Sequence, residues 1–124
     1  MTSAHRITVT DVPGTVRVNV GGVVVAESTQ ARVLHEGSLP PRYYFPRQHV
    51  RTDLLVGTDT STNCPYKGDA SYWTLEVGGE QHADLVWSYA DPIPEMVAIT
   101  GLMAFYNDRV EIVLDEVAGT VTAR

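Results

Sequence analysis

The single cysteine and the single lysine of this 124-residue chain stand three residues apart, in Thr62-Asn63-Cys64-Pro65-Tyr66-Lys67-Gly68. A thiol becomes a nucleophile as its thiolate, and a neighbouring cation lowers its pKa from about 8.5. A lysine shielded from water can act as a base or nucleophile in its own right. Cys64 and Lys67 are therefore candidate nucleophile and base, and Tyr66 between them a candidate proton donor. A cysteine of this kind usually needs a histidine, and His35, His49 and His82 could supply one only through the fold. A structural reading stands beside the catalytic one: Cys64 packs as a small apolar side chain, and Lys67 pairs with an acid such as Asp69. Pro65 and Gly68 shape the turn in either case.

A second segment is Leu39-Pro40-Pro41-Arg42-Tyr43-Tyr44-Phe45-Pro46-Arg47. Its prolines hold it extended. In an extended chain Arg42 and Tyr44 share one face, Tyr43 and Phe45 the other. Arginine grips carboxylate or phosphate with two parallel hydrogen bonds, so an anion grip beside an aromatic wall is one reading. A buried aromatic strand whose arginines pair with neighbouring acids is the other. Arg32, Arg42, Arg47 and Arg51 share their stretch with one acid, Glu36, and could form a local basic cluster for a small anion. The third segment, Trp87-Ser88-Tyr89-Ala90-Asp91-Pro92, places Trp87 and Tyr89 on one face before a turn at Asp91-Pro92. It reads as a stacking platform or as a core tryptophan.

The elements that must position these groups are mostly strands. Val16, Val18 and Val20 alternate with polar residues, which is the period of a half-buried strand. Gly21-Gly22 then joins this run to Val23–Ala26, and Gly78-Gly79 joins residues 71–77 to 80–89. Both pairs predict tight hairpins, since primed turns need positive φ at both central residues. Strands are expected again at Ala31–His35, Leu102–Tyr106 and Val110–Leu114, with a turn at Asn107-Asp108. Residues 94–99 could make one helical turn starting at Pro94, and 48–56 is ambiguous. All ten aromatic residues lie between Tyr43 and Tyr106, so an aliphatic β scaffold precedes an aromatic middle.

This pattern predicts one mainly β domain, an antiparallel sandwich or barrel with little helix, spanning residues 1–124. A net charge of −6 argues against a nucleic-acid partner, which calls for a broad basic surface. No run approaches the ~18 apolar residues of a membrane span, and no signal peptide is visible. One cysteine cannot make an internal disulfide, which fits a reducing, cytoplasmic setting. The histidines and the cysteine show no CxxC, HxH or HExxH spacing, so no metal is expected. With no P-loop and no Rossmann fingerprint, no cofactor is expected.

Taken together, Leu39–Arg47, Thr62–Trp73, Trp87–Pro92 and Ile99–Tyr106 resemble the family called Domain of unknown function 427, which also carries a nucleotidyltransferase label. Gly22 and Ala26–Leu34 fit that family's opening hairpin. The resemblance implies a small antiparallel β domain of β-tent type. Many β-tent relatives bind zinc through paired CxxC motifs, which this chain lacks. By the same likeness, an aromatic-lined concave face would hold a small ligand. Tyr43, Tyr66, Tyr72, Trp73, Trp87 and Tyr89 would line it, with Arg42, Arg47, Cys64 and Lys67 as its polar groups. The chain departs from the family at His49, where an acid is usual. The nucleotidyltransferase label finds no support, because Gly37-Ser38 is not followed by the carboxylate pair such a reaction needs.

Three functions follow as expectations. The first is a small anionic or aromatic ligand bound in an aromatic pocket. The second is an enzyme using Cys64 or Lys67, with Tyr66 or Tyr72 as acid. The third is a homodimer contact through the hairpin of residues 71–89.

Overall fold

The computed structural model describes residues 6–115. Ten strands run in chain order: β1 Ile7–Asp11, β2 Thr15–Val20, β3 Val23–Ser28, β4 Arg32–Glu36, β5 Arg42–Phe45, β6 Leu55–Cys64, β7 Gly68–Val77, β8 Glu80–Ser88, β9 Met103–Phe105 and β10 Glu111–Asp115. They form two antiparallel sheets. The large one has the order β1-β4-β5-β9-β8-β7-β6 and the small one β10-β2-β3. Neither closes into a barrel, so of the two outlines expected the chain takes the sandwich. Among the described residues helix is confined to short 3₁₀ turns at Arg47–His49, Thr52–Leu54, Pro94–Ile99 and Asn107–Arg109.

Both glycine hairpins form. Gly21 and Gly22 have φ of 58° and 82°, and Gly78 and Gly79 have 60° and 82°. These left-handed conformations carry no Cβ penalty in glycine. The helical turn at 94–99 forms with Pro94 in its first position. The ambiguous 48–56 stretch resolves into two 3₁₀ turns that lead into β6. Strands β1 and β6 lay outside the expected set. β1 (Ile7-Thr8-Val9-Thr10-Asp11) does alternate, but over only two apolar residues, whereas the Thr-rich β6 beyond Val56 has no apolar residue before Cys64. A turn forms at Asn107–Arg109, but it does not join a hairpin: β9 lies in the large sheet and β10 pairs with β2.

Two apolar layers hold the molecule together. In the first, Val16, Val18, Val20 and Val25 of the small sheet meet Phe45, Leu75, Leu85, Val86, Met103 and Phe105 of the large one. Phe45 and Phe105 pack edge to face, with centroids 5.9 Å apart at 84°. Burying a side chain of this class contributes about 1.5–3 kcal/mol. The second layer lies on the opposite face of the large sheet. It comprises Leu34, Tyr44, Ala70, Tyr72, Trp87, Tyr89 and Ala104, capped by Met96 and Ile99 of the 94–99 turn.

The 71–89 hairpin is interior to its sheet. β7 pairs with β6 and β8, and β8 pairs with β9. Its pairing to β9 covers only Val86–Ser88. The edges of the large sheet are β1 and β6.

Candidate functional site

Strand register gathers the aromatic residues of the second layer. Tyr44 lies opposite Ala104, Ala104 opposite Trp87, and Trp87 opposite Tyr72, one row across four strands. Ala104 is small, so the flanking rings meet over it. Tyr44 and Trp87 are edge to face at 6.3 Å, and the Trp87 indole N–H donates to the Tyr44 hydroxyl at 3.2 Å. Continuing the β5–β9 register by two residues sets Arg42 opposite Tyr106. The Arg42 guanidinium lies 5.7 Å from the Trp87 ring centre and 5.8 Å from that of Tyr106. Trp87 and Tyr106 themselves are 4.6 Å apart. Among the described residues no carboxylate pairs with Arg42.

The Cys-Pro-Tyr-Lys-Gly turn abuts this layer. It is closed by Lys67 N–H to the Cys64 carbonyl at 3.0 Å, and Ile93 N–H donates to the Lys67 carbonyl at 2.9 Å. Gly68 is required here. Its φ is 127°, and a Cβ would stand 3.1 Å from the Pro92 Cα. The Lys67 ammonium donates to Glu36 Oε1 at 2.8 Å, with both side chains largely buried. Asp69, the partner suggested by sequence proximity, instead accepts from the Asn63 amide at 2.7 Å. Burial pulls the Lys67 pKa down, but the Glu36 hydrogen bond and the charges of Cys64 and Glu36 outweigh it, and the net direction is up. Lys67 therefore stays protonated, which removes it as a base at neutral pH. Cys64 is half-buried. Among the described residues no histidine is bonded to it: His49 Nδ1 bonds Ser28 Oγ at 2.8 Å, and His82 lies 3.6 Å from Glu80.

Tyr44, Tyr89 and Tyr106 are held in the neutral form. Burial pushes Tyr44 up, and burial followed by the Cys64 charge pushes Tyr89 up. Burial and a hydrogen bond with Tyr72 push Tyr106 to about 12. The Tyr72 hydroxyl also bonds Thr62 Oγ1 at 2.9 Å. Beside Tyr72 and Tyr106 opens a cleft of about 370 Å³, lined further by Thr60, Thr62, Asp84, Asp108 and Arg109.

The set expected from sequence divides. Arg42, Tyr72, Trp87 and Tyr89 meet on this face, with Cys64 and Lys67 at its end. Tyr43 and Trp73 pack on the opposite face, toward the small sheet, and Arg47 lies over Trp73 at 5.2 Å. Alternation along β5 and β7 dictates this division, since neighbours in a strand point to opposite faces. Tyr66 is exposed on the turn. The basic cluster does not assemble either. Arg32 binds the Ala98 carbonyl and Asp11, Arg51 binds Asp53, and Arg42 and Arg47 belong to different faces. Sequence reasoning missed Glu36, Tyr106, Asp84 and Arg109. Only Glu36 carried a signal, as the lone acid of a basic stretch. Among the described residues no group of three or more His, Cys, Asp or Glu side chains is placed to hold a metal ion.

No helix among the described residues is long and apolar enough to cross a membrane. No curated protein matches the chain. The family described as Domain of unknown function (DUF427) matches residues 8–116, nearly the whole chain, and the protein belongs to that family.

Proposed function

We propose that the protein binds a small ligand carrying an anionic group at the edge of the aromatic layer beside Tyr106, with Arg42 as the grip. The observation that carries this reading is the Arg42 guanidinium, partly exposed and stacked over Trp87 and Tyr106 without a carboxylate partner among the described residues. The two ring faces hold the guanidinium by cation–π attraction, and its N–H groups can still bind a carboxylate or phosphate. The open cleft next to Tyr106 gives the rest of a ligand a place to lie. Lys67 is not part of the grip, because Glu36 already neutralises it. Its role is to fasten the Cys-Pro-Tyr-Lys-Gly turn to β4.

The test is binding of benzoate and inorganic phosphate, followed by tryptophan fluorescence and calorimetry. Arg42→Gln removes a charge-assisted contact and is expected to weaken binding about tenfold or more. Arg47→Gln serves as the control, because Arg47 stacks on Trp73 on the other face. Equal affinities for Arg42→Gln and the parent protein, or an equal loss in Arg47→Gln, would refute the reading.

A further inference from the structure

We infer that the cleft beside Tyr106 takes the hydroxyl groups of a sugar ring, so that the ligand is a sugar bearing an anionic substituent that reaches Arg42. The anionic half of this inference rests on the function proposed above. The hydroxyl half rests on separate observations.

Three irregularities of the backbone converge on the cleft. The β6–β7 ladder slips between Gly57 and Ser61. The β7–β8 ladder slips between Trp73 and Leu75. Opposite them, Asp84 has φ 51°, the one positive φ of a non-glycine among the described residues. A bulge re-aims side chains that a regular ladder would alternate, and bulges are concentrated beside functional sites. A left-handed aspartate costs conformational energy that a regular strand would avoid. Here the distortion aims the Asp84 carboxylate at the bulged strand. Oδ1 accepts from Thr58 Oγ1 at 2.8 Å and Oδ2 from Thr60 Oγ1 at 2.7 Å. An ionised carboxylate has about four acceptor sites, so these bonds leave capacity toward the cleft.

The chemistry of the walls selects the ligand. Thr60, Thr62, Tyr72, Asp84, Tyr106, Asp108 and Arg109 line the cleft, and every one of them carries a hydroxyl, carboxylate or guanidinium. The Thr60 and Thr58 hydroxyls hold Asp84 below the usual carboxylate range, so it is charged at neutral pH. With Asp84 and Asp108 in its lining beside Arg109, the cleft has no excess of positive charge and would repel a bare phosphate. A sugar hydroxyl suits it better, since it can donate to a carboxylate and accept from a guanidinium at once. The volume of about 370 Å³ lies at the small end of ligand sites. The anionic substituent is then directed past Tyr106 to Arg42, away from the two carboxylates.

The test compares D-ribose 5-phosphate, D-ribose and inorganic phosphate by NMR titration of the ¹⁵N-labelled protein. Ribose 5-phosphate is expected to bind more tightly than phosphate and to shift the amides of Thr60, Asp84 and Arg109. Asp84→Asn removes a negative charge, which can only favour an anion. An expected loss of about tenfold for ribose 5-phosphate, with phosphate not weakened, therefore reports lost hydroxyl contacts. Thr62→Val, a change on the exposed edge strand, is expected to lower the same preference should Asp84→Asn not fold. Ribose 5-phosphate binding no better than phosphate, or unchanged by both substitutions, would overturn the inference and leave the Arg42 reading intact. Ribose shifting the cleft amides while phosphate binds nowhere would uphold the cleft and refute Arg42 as an anion grip.

Discussion

Replacing Glu36 with alanine leaves the Lys67 ammonium without its carboxylate, in a site where its side chain is only 13% exposed and that of Glu36 17%. An exposed ion pair contributes about 0–1 kcal/mol, while removing one partner of a fully buried pair costs about 3–5 kcal/mol. This pair is short, at 2.8 Å, and lies close to the buried limit. Some water still reaches it, so a loss of about 2–3 kcal/mol is expected for Glu36→Ala. Unfolding entropy of about 2.1 cal/mol/K per residue makes 1 kcal/mol worth about 4 °C in a chain of this length. The melting temperature should therefore fall by about 10 °C. The double variant Glu36→Leu/Lys67→Met removes both charges and keeps volume. It should recover most of the loss, because replacing a buried pair by apolar groups is often close to neutral. The pH dependence follows from the raised Lys67 pKa. A cation whose pKa is raised on folding contributes its full stabilisation below its unfolded value near 10.4, and loses it as the pH rises through the folded value. On the alkaline side the parent protein should lose this contribution only in strong alkali, and Glu36→Ala should lack it from neutral pH upward. Denaturant melts and a double-mutant cycle measure all of this. A Glu36→Ala protein as stable as the parent, or a double variant as unstable as the sum of the singles, would refute the ion-pair account.

Gly68→Ala should destabilise the protein by about 1–3 kcal/mol, because φ of 127° is avoided by residues with a Cβ and the new methyl would press on the Pro92 backbone at 3.1 Å. Urea unfolding checks this, and Asp69→Ala, in the same strand but exposed, is the control. Phe45→Ala should cost about 3–5 kcal/mol: Phe45 is fully buried and packs on Phe105. A guanidinium melt unchanged by the substitution would place Phe45 outside the core.

Much of the fold was legible because it rests on local rules. The Val16/Val18/Val20 alternation and the two Gly-Gly pairs each specify geometry within a few residues, and all appear as expected. β6 escaped because most of its residues are exposed polar side chains that carry no hydrophobic period, and β1 because its alternation spans only Ile7 and Val9. β10 was placed as a strand, but not in its sheet, since the turn at Asn107–Arg109 does not reveal which partner β10 finds.

The candidate site divides along the same line. The sequence by itself determined that Arg42 shares a face with Tyr44 and Trp87 with Tyr89, because side chains alternate along any strand. It also marked Cys64, Lys67 and Gly68 as belonging to one constrained turn. Only the tertiary structure decided which strands lie side by side, and hence that Trp87 and Tyr106 meet under Arg42 while Tyr43, Arg47 and Trp73 face away. It also decided that Lys67 is matched by Glu36, 31 residues earlier, and that Asp84 meets the threonines of β6. These pairings depend on the order of strands in the sheet and on where its ladders slip. Both are set by the packing of the whole chain, and no local spacing encodes either.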